Sequence, residues 1–433
     1  MHRSPVFVTD SADSVSSRKN YKEGEVVKSV NEIVESIDLY DPEQRPHMLD
    51  ALRAAREGGC PFPRAAGDGE YYVATRYEDV KAIAERPDKF SSCEPALRGL
   101  PVSLAPLDLD PPIHRDFRKF LNKYFSRNYL LKYEDQIRQV GQDLVAKVAR
   151  KLEEHGEFEF VHDFAIPFTA GALGRVVFAT EDADLTKRAV SAVERAATEG
   201  TPEAFFEIAL IAGELLEEVE KNPESRDDVL GALVTATVED GRLLTDDERL
   251  GVVTALLAGG LDTTRSAMSN IAYHLATNPE VEGRLRNPDW WKVDLDEFLR
   301  FEPTVSFMAR TVTEDTTIGD CEFKKGDRIA VNYMSANRDV EHFDNPDELD
   351  FERMGTPHVA FGVGVHRCLG SHFARIQLAI AYEELLSKFE NFRLTIPKEE
   401  TPRQVGISYN SVESVPITCS TRNVVNDGIQ ETV

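Results

Sequence analysis

The feature that most constrains this sequence is a helical pattern that runs without a break through residues 245–277. Its start matches a capping box, because Thr245 can cap the first turn while Glu248 reaches back from the third helical position. Asn278-Pro279 ends the pattern, since proline cannot continue a helix. At about 1.5 Å per residue, the helix is about 50 Å long and crosses a domain of this size. We therefore expect a mainly α-helical fold around this helix, with the centre of the helix buried.

Other periodic segments predict further helices and a small β region. Helices are expected at residues 129–152, 184–198, 202–221, 227–237, 294–301 and 369–389, and strands at residues 71–74, 311–318, 329–333 and 393–396. No linker rich in Gly, Ser or Pro divides the chain between about residue 35 and residue 420. We expect one domain at residues 31–420, with a polar N-terminal tail at 1–30 and a C-terminal tail at 421–433.

Charge and cysteine content exclude several classes of protein. The chain has 76 acidic and 50 basic residues, and its formal net charge of −26 argues against a general affinity for nucleic acid or anionic lipid. A membrane anchor would need about 18 to 20 consecutive apolar residues, and we find no such run. The cysteines are widely spaced and odd in number, which argues against a disulfide framework and favours a cytoplasmic protein. They are Cys60, Cys93, Cys321, Cys368 and Cys419.

The centre of the long helix contains the segment Ala258-Gly259-Gly260-Leu261-Asp262-Thr263-Thr264. Each glycine costs about 1 kcal/mol relative to alanine inside a helix, so another body is expected to approach the helix closely there. A threonine hydroxyl that bonds backward can also open the helix into a local bulge. A buried Asp262 needs a function or a partner. A helix-packing contact with Asp262 in a structural salt bridge explains the segment equally well.

Near the C-terminus, the segment Phe361-Gly362-Val363-Gly364-Val365-His366-Arg367-Cys368-Leu369-Gly370 precedes a helical pattern. A cysteine at a helix N-terminus has its thiolate favoured by the helix dipole and by free N–H groups. Gly362 and Gly364 leave room for a flat body beside the backbone. A zinc pair of His366 and Cys368 lacks further ligands at close spacing, and the glycines do not fit a dinucleotide-binding loop. A buried, inert cysteine remains an alternative.

A third segment, Glu297-Phe298-Leu299-Arg300, places an acid and a base on one helical face. Such pairs are mostly solvated surface residues when they occur alone. Arg353 lies downstream in a segment that could bring a second guanidinium to Glu297. The three residues are therefore a candidate for a buried ionic network.

The Cys368 loop, the Glu297-x-x-Arg300 pair and the 258–264 segment resemble, in order and spacing, the cytochrome P-450 haem-thiolate monooxygenases of the soluble bacterial type. The resemblance covers nearly the whole chain and includes residues 75–80, 110–115 and 336–339. It implies the cytochrome P-450 fold, mainly α with a small β region, in which a haem lies between the long central helix and the Cys loop.

The resemblance also implies functions for individual residues. Cys368 would be the axial thiolate ligand of the iron of heme b, and it would donate electron density that favours O–O cleavage. Asp262 and Thr263 match the family's acid and alcohol, which deliver protons during dioxygen activation. Further cofactor contacts are implied for Phe361, Gly362, Ala258 and Gly259, and partners of the haem propionates for His114, Arg118, Arg310 and His366. Glu297, Arg300 and Arg353 match a structural network of the family.

Two further positions concern the resemblance: one departs from the usual family residue, and one has no assigned function. Gln377 stands where many members of the family have glutamate, and we expect little consequence because oxygen chemistry takes place on the opposite face of the haem. Thr264 follows the Asp262-Thr263 pair, and its share in proton delivery is open.

The implied partners are a ferredoxin, an NAD(P)H-dependent ferredoxin reductase, dioxygen and a small hydrophobic substrate. The family places Lys119, Lys123, Arg127 and Arg367 on the proximal face, where an acidic ferredoxin could dock. Substrate contacts are expected from residues 93–107, 257–258, 305–308 and 407–410. These segments contain the apolar residues Leu97, Leu100, Val102, Leu104, Val305, Phe307 and Met308, which favour a hydrophobic ligand, although core packing explains any one of them.

The expected activity is hydroxylation of a terpenoid or an aromatic compound. The first alternative is a biosynthetic cytochrome P-450 that oxidises a steroid, a macrolide or a peptide, including ring-forming oxidations that insert no oxygen. The second alternative, from another class, is a non-enzymatic haem-binding sensor or carrier. The Asp262-Thr263 pair argues against the sensor, because that function needs no proton delivery.

Overall fold

The computed structural model describes residues 37–41, 44, 47–58, 61–65, 70–199, 201–221, 226–238, 241–353, 355, 357–404 and 410–422. The expected N-terminal tail and most of the expected C-terminal tail lie outside these residues. The predicted start of the C-terminal tail at residue 421 is one residue too early, because Thr421 pairs with Phe389 at the end of a strand.

Helices form most of the described structure, as the periodicity predicts. They are α1 (Met48–Glu57), α2 (Tyr77–Ala84), α3 (Ile113–Tyr124), α4 (Arg127–Leu130), α5 (Glu134–His155), α6 (Ile166–Leu173), α7 (Ala183–Glu199), α8 (Pro202–Glu220), α9 (Val229–Thr235), α10 (Asp246–Thr277), α11 (Pro279–Leu285), α12 (Trp290–Val293), α13 (Leu295–Phe301), α14 (Tyr333–Ala336) and α15 (Ser371–Lys388). Helix α10, the central helix, packs against α6, α7, α8 and α15.

The strands are short and lie beside the helical body. They are β1 (Arg64–Ala65), β2 (Tyr71–Ala74), β3 (Phe90–Ser91), β4 (Phe158–Glu159), β5 (Thr237–Val238), β6 (Arg242–Leu243), β7 (Phe307–Val312), β8 (Thr316–Ile318), β9 (Cys321–Phe323), β10 (Arg328–Asn332), β11 (Phe389–Leu394), β12 (Arg403–Gln404), β13 (Ser411–Val412) and β14 (Pro416–Thr421). The largest sheet has the order β1-β2-β10-β7-β3. In it, β10 runs parallel to β2 and antiparallel to β7.

The central helix matches its prediction at both ends. The Thr245 hydroxyl accepts the Glu248 N–H, and the Glu248 carboxylate accepts the Thr245 N–H at 2.8 Å, which completes the capping box. Asn278 forms the C-cap. The expectation that the whole centre is buried is wrong at Gly259, which is exposed. Its neighbour Gly260 has the close contact that the paired glycines predict, because a Cβ there would lie 2.9 Å from the Leu173 Cδ1.

The predicted and observed boundaries of helices and strands differ most where the backbone forms hydrogen bonds outside the predicted element. The helix expected at 129–152 is interrupted by a 3₁₀ turn at Leu131–Tyr133. The helix expected at 227–237 is shorter, because Asp228 caps it and Thr237 already pairs in β5. The single strand expected at 311–318 is wrong, because the chain leaves the β7 ladder after Val312 when the Thr313 N–H bonds the Lys89 carbonyl.

Glu297, Arg300 and Arg353 form the buried network that their sequence positions predict. The Arg300 guanidinium donates to both Glu297 carboxylate oxygens, at 2.7 and 2.8 Å. The Arg353 Nε lies 3.3 Å from Glu297 Oε2. The remaining Arg300 N–H groups donate to the carbonyls of Asn337, Pro346 and Glu348. One arginine therefore ties α13 to the irregular segment that precedes the Cys loop.

Among the described residues, no helix is long and apolar enough to cross a membrane. The four cysteines in this part of the chain, Cys93, Cys321, Cys368 and Cys419, form no disulfide bond with one another. Cys60 lies outside the described residues.

Replacing Arg300 by leucine is expected to destabilise the fold strongly, because the buried Glu297 carboxylate would keep Arg353 as its one cationic partner among the described residues, beside the Asp350 N–H. Breaking a buried ion pair in this way costs about 3–5 kcal/mol. The free energy of unfolding, measured by circular dichroism in guanidinium, checks this expectation. The control is Lys292→Ala, which removes the exposed ion pair with Asp289 and should cost less than about 1 kcal/mol. Equal losses in the two variants would contradict a structural function for Arg300.

Candidate active site

The loop that carries Cys368 is closed by its own backbone. The Cys368 N–H donates to the Phe361 carbonyl at 2.8 Å, and the Gly362 N–H donates to Val359 at 2.9 Å. A 3₁₀ turn at Gly364–His366 lies between these bonds. The following helix, α15, begins at Ser371 rather than at the predicted residue 369. Cys368 therefore lies before the helix, on a loop of fixed shape.

Both glycines of this loop are required by the backbone. Gly362 and Gly364 have φ angles of 65° and 74°, in the left-handed region that favours glycine. A Cβ at Gly364 would also collide with the carbonyl oxygen of Ala84, at the end of α2. The group that approaches Gly364 is thus the backbone of α2, and not the planar ligand for which the sequence predicts space. Gly362 faces the hydroxyl of Tyr333, 3.6 Å from the position of a Cβ.

Cys368 is exposed to solvent. It nevertheless lies in a recess, so that many protein atoms surround the thiol. Burial raises the pKa of the thiol above its ordinary value. A hydrogen bond from the Gly370 N–H and the charges of Arg118 and Arg367 oppose this shift. The Gly370 N–H therefore favours the thiolate, as the sequence predicts, but burial of the thiol outweighs it. Coordination to a metal ion would deprotonate the thiol, because the metal charge outweighs the cost of burial.

Four of the predicted site residues are brought together beside the Cys loop. The imidazole rings of His114 and His366 lie 4.2 Å apart between centroids. The Arg118 guanidinium donates to the Arg367 carbonyl at 2.9 Å. Arg310 is buried in β7, where it donates to the Ala309 carbonyl. Residues from α3, β7 and the Cys loop thus form one basic cluster.

The histidines of this cluster are neutral near pH 7, so its positive charge comes from the arginines. Burial, followed by Arg118, lowers the pKa of His114 to about 4. Burial, followed by Arg310 and His114, lowers the pKa of His366 to about 3. In the described part of the chain, His114 Nδ1 and His366 Nε2 are buried without a hydrogen-bond partner. Buried unsatisfied nitrogens beside two arginines are typical of a site for an acidic ligand.

A second basic surface lies on the outside of the same region. Lys119, Lys123, Arg127 and Arg367 are all exposed. His372 lies among them, and burial together with Arg367, Arg375 and Arg127 lowers its pKa. The protein therefore presents a locally positive surface despite its net negative charge.

The central helix contributes Thr263 and an open stretch of backbone. The Thr263 hydroxyl donates to the Gly259 carbonyl at 2.7 Å. This backward bond does not produce the predicted bulge, since α10 is continuous through residue 263. Ala258 is half-buried, whereas a Cβ at Gly259 would meet no atom within 4 Å. The helix therefore presents a surface free of side chains beside the threonine.

Asp262 is placed differently from Thr263. Its carboxylate is buried and forms an ion pair with Arg265, one turn along the same helix. No hydrogen bond joins Asp262 to Thr263 in the described structure. The salt-bridge interpretation of Asp262 is therefore correct for this state of the protein. Arg265 is not among the residues predicted from the sequence, although its i+3 spacing from Asp262 is a usable signal.

These residues fit a bound haem of the b type. The cluster supplies a sulfur for the iron and two arginines with two unsatisfied imidazole nitrogens for the propionates. The stretch at Gly259 leaves space for a planar group on the central helix. Within the described residues, no group of three or more His, Cys, Asp or Glu could hold a metal ion by itself. Zinc at Cys368 and His366 would therefore lack further protein ligands.

The predicted substrate segments are partly in the hydrophobic core. Leu104 and Phe307 are buried, and Phe307 packs with Tyr40, so core packing explains both residues. Half-buried apolar residues from these segments are Leu97, Leu100, Val102, Val305 and Met308. On the central helix, Leu257 is buried. Of the expected segment 407–410, only Asn410 lies within the described residues.

Comparisons with known proteins give one consistent family. A family model described as "Cytochrome P450" matches residues 202–288 and 294–411. Cytochrome P450-terp of a Pseudomonas species is 30% identical, over 80% of this chain and 87% of its own length. Steroid C26-monooxygenase of Mycolicibacterium smegmatis is 30% identical, over 80% of this chain and 86% of its own length. The structure of cytochrome P450 CYP109Q5 from Chondromyces apiculatus matches with a TM-score of 0.78 and 24% identity, over 90% of this chain and 99% of that chain.

Replacing Cys368 by alanine is expected to abolish the thiolate-type absorption spectrum of the reduced carbon monoxide complex, because alanine offers no ligand to iron. Absorption spectra of the purified variant, recorded at matched protein concentration, provide the measurement. Cys93→Ala is the control, since Cys93 is an exposed thiol, and it should leave the spectrum intact. Persistence of the spectrum in Cys368→Ala would show that Cys368 is not the ligand.

Proposed function

The chain belongs to the cytochrome P450 family of haem-thiolate monooxygenases, and we propose that it hydroxylates a small hydrophobic substrate with electrons from a separate ferredoxin system. The observation that carries the proposal is the constellation around Cys368. A cysteine on a closed loop lies near Arg118, and Arg310 lies near His366 of the same loop, with the unsatisfied nitrogens of His114 and His366 in the same cluster. A non-enzymatic haem sensor would need these residues but would not need Asp262 and Thr263.

In this proposal, the Cys loop and its neighbours hold heme b. Cys368 ligates the iron through its sulfur, and the loop hydrogen bonds fix the position of that sulfur. Arg118 and Arg310 neutralise the propionates, while His114 and His366 donate hydrogen bonds to them. Phe361 and Gly362, on the same loop, and Ala258 and Gly259, on the central helix, contact the planar ring. When bound, heme b supplies the oxidising chemistry of dioxygen activation.

Thr263 and Asp262 have separate tasks in proton delivery. The Thr263 hydroxyl, which is held by the Gly259 carbonyl in this state, positions a proton at the open surface of the central helix. Asp262 is the acid that resupplies this proton, and it must first leave its ion pair with Arg265. Buried Thr264 has no assigned step.

The electron donor is proposed to be an acidic ferredoxin reduced by an NAD(P)H-dependent reductase. The exposed cations Lys119, Lys123, Arg127 and Arg367 support this proposal, because steering depends on the local charge at the docking surface. A ferredoxin and its reductase would share the cytoplasm with this protein.

A terpenoid or an aromatic compound is the favoured substrate class. The half-buried apolar residues of segments 93–107 and 305–308 support a small hydrophobic ligand. Similarity to a protein named cytochrome P450-terp is in line with a terpenoid. A steroid is the second candidate, because another relative of equal identity is a steroid C26-monooxygenase. Macrolides and peptides remain the larger biosynthetic alternatives.

Titration of the haem-loaded protein tests the substrate class. Monoterpenoids, monocyclic aromatics, fatty acids and steroids are added in turn, and the ferric Soret band is followed. Monoterpenoids or aromatics should give the high-spin shift, and turnover with ferredoxin and reductase should add the mass of one oxygen atom to the compound. A shift confined to steroids would replace the favoured class by the second candidate. A shift without any product would favour the sensor.

Replacing Thr263 by alanine is expected to uncouple electron use from product formation, because the proton at the Gly259 surface is lost. The fraction of NAD(P)H that ends as hydrogen peroxide should rise several-fold, and peroxide and product are measured together. The matched control is Thr277→Ala, which removes the same type of backward bond, 2.7 Å to Tyr273, at the end of the same helix. Unchanged coupling in Thr263→Ala would remove this residue from proton delivery.

A further inference from the structure

A cavity lies on the side of the central helix that carries Asp262, between α6, α7 and α10. The space between its lining atoms amounts to about 210 Å³, part of which is open to solvent, and it has room for about one water molecule. Its polar lining consists of Thr169, Glu194, Asp262 and Arg265, and the other lining residues are aliphatic. Such a set of partners is what one ordered water molecule needs.

Asp262 has an unused hydrogen-bonding position at this cavity. One carboxylate oxygen, Oδ1, is held by Arg265. The other, Oδ2, is buried and has no partner among the described residues, although the Asp262 side chain is only 2% exposed. A buried, unsatisfied carboxylate oxygen is costly unless a polar group reaches it. A water molecule in the cavity would satisfy it.

Three carboxylates surround one guanidinium at this place. Arg265 contacts Asp262 and lies 3.8 Å from Glu413, and Glu194 lines the same cavity. Burial raises the pKa of Glu194, and the charges of Asp262 and Glu413 raise it further, while Arg265 and His162 lower it. One buried cation does not neutralise three carboxylates, so a proton held on one of them lowers the repulsion.

The titratable side chains of this cluster differ in exposure, from solvent-exposed to fully buried. His162 is exposed, and the Glu413 side chain is 35% exposed. Glu194 is half-buried at the cavity, and Asp262 is fully buried. Glu413 is not in the cavity lining, and its carboxylate already accepts the Ser411 hydroxyl. Glu194 is therefore the carboxylic acid between solvent and Asp262.

We propose that Glu194 supplies protons from solvent to Asp262 through one water molecule in the cavity that both residues line. This inference rests on the proposed function, because it concerns how Asp262 regains the proton that it passes to Thr263. Glu194 acts through Asp262, and it is a positioning residue rather than a catalytic one.

The proton transfer balances without any oxidant or reductant. The O–H bond of the Glu194 carboxylic acid breaks, and its proton passes to the water molecule. The water passes one of its own protons to Asp262 Oδ2, and solvent returns a proton to the Glu194 carboxylate. A neutral Asp262 is attracted to Arg265 less strongly than its carboxylate is, and Arg265 keeps Glu413 as a counter-charge. Proton supply thereby releases Asp262 to turn towards Thr263.

The first test is infrared spectroscopy of the haem-loaded protein during a pH titration. The wild type should show a protonated carboxylic acid band that titrates above the ordinary pKa of glutamate, and this band should be weaker in Glu194→Gln. Asp79 and Asp294, whose pKa values burial also raises, contribute equally to both spectra and cancel in the difference. The control variant is Glu214→Gln, because the Arg188 guanidinium lowers the pKa of that exposed carboxylate, and this variant should keep the full band. A band of unchanged intensity in Glu194→Gln would overturn the proposal.

The second test is NADPH oxidation in air with a plant-type ferredoxin and its reductase, in H₂O and in D₂O. Glu194→Gln should slow the reaction by about tenfold, less than the roughly 100-fold that a general acid in contact with the reacting group contributes at the least, because Glu194 acts through Asp262. The variant should also at least double the solvent isotope effect. In the wild type, the rate should fall as the pH rises through the raised pKa of Glu194, because the donor form is lost. This pH dependence should be absent in Glu194→Gln and present in Glu194→Asp.

The outcomes separate this proposal from the proposed function. A wild type without the thiolate-type carbon monoxide spectrum would refute the haem-thiolate assignment itself. An intact spectrum in Glu194→Gln, with an unchanged isotope effect and pH profile, would overturn only the proton route. If Glu194→Gln does not fold, Thr169→Val removes a polar partner of the water without changing any charge. An isotope effect in that variant equal to the wild-type value would also overturn the route.

Discussion

The buried contact between Arg300 and Glu297 determines where the Cys loop lies. Arg300 holds the carbonyl of Asn337, and the side chain of Asn337 in turn accepts the Val359 N–H at 2.8 Å. The Val359 carbonyl accepts the N–H of Gly362, the first glycine of the Cys loop. An ion pair without any direct bond to Cys368 therefore fixes the loop that presents the sulfur. A buried pair of this kind adds little net stability, yet removing one partner is costly because the other charge stays buried.

Charge is distributed unequally around the two functional clusters. Beside the Cys loop, Arg118 and Arg310 stand with histidines that burial keeps neutral, and this arrangement suits an acidic ligand. Behind Asp262, several carboxylates share Arg265. A positive environment stabilises anionic groups, whereas excess carboxylates retain protons. Local charge thus distinguishes the two clusters: the basic one suits an acidic cofactor, and the acidic one holds protons.

Local chemistry made part of this structure predictable from sequence. The Thr245 capping box and the Glu297-Arg300 pair depend on residues within one turn, and both appear as predicted. The function of Gly364 was not predictable in the same way, because its neighbour is the Ala84 carbonyl, far away in the sequence. Glu194 carries no local signal, since only the packing of α7 on α10 brings it to Asp262. The Cys loop was predictable as a functional site from its local sequence. The residues that contact the loop, or that line the cavity beside Asp262, come from distant segments.

The position of the acidic cluster follows from how closely two helices approach. Gly260 has no side chain, and Leu173 of α6 occupies the space that a Cβ would need. Thr169 lies one turn before Leu173 on α6, and it lines the cavity beside Asp262. Gly259, the adjacent residue, faces open space instead. The two adjacent glycines therefore act on different sides of one helix, about 100° apart. Gly260 permits the close packing of α6 on α10, the two helices that both line the cavity, and Gly259 leaves its own side free for a planar ligand.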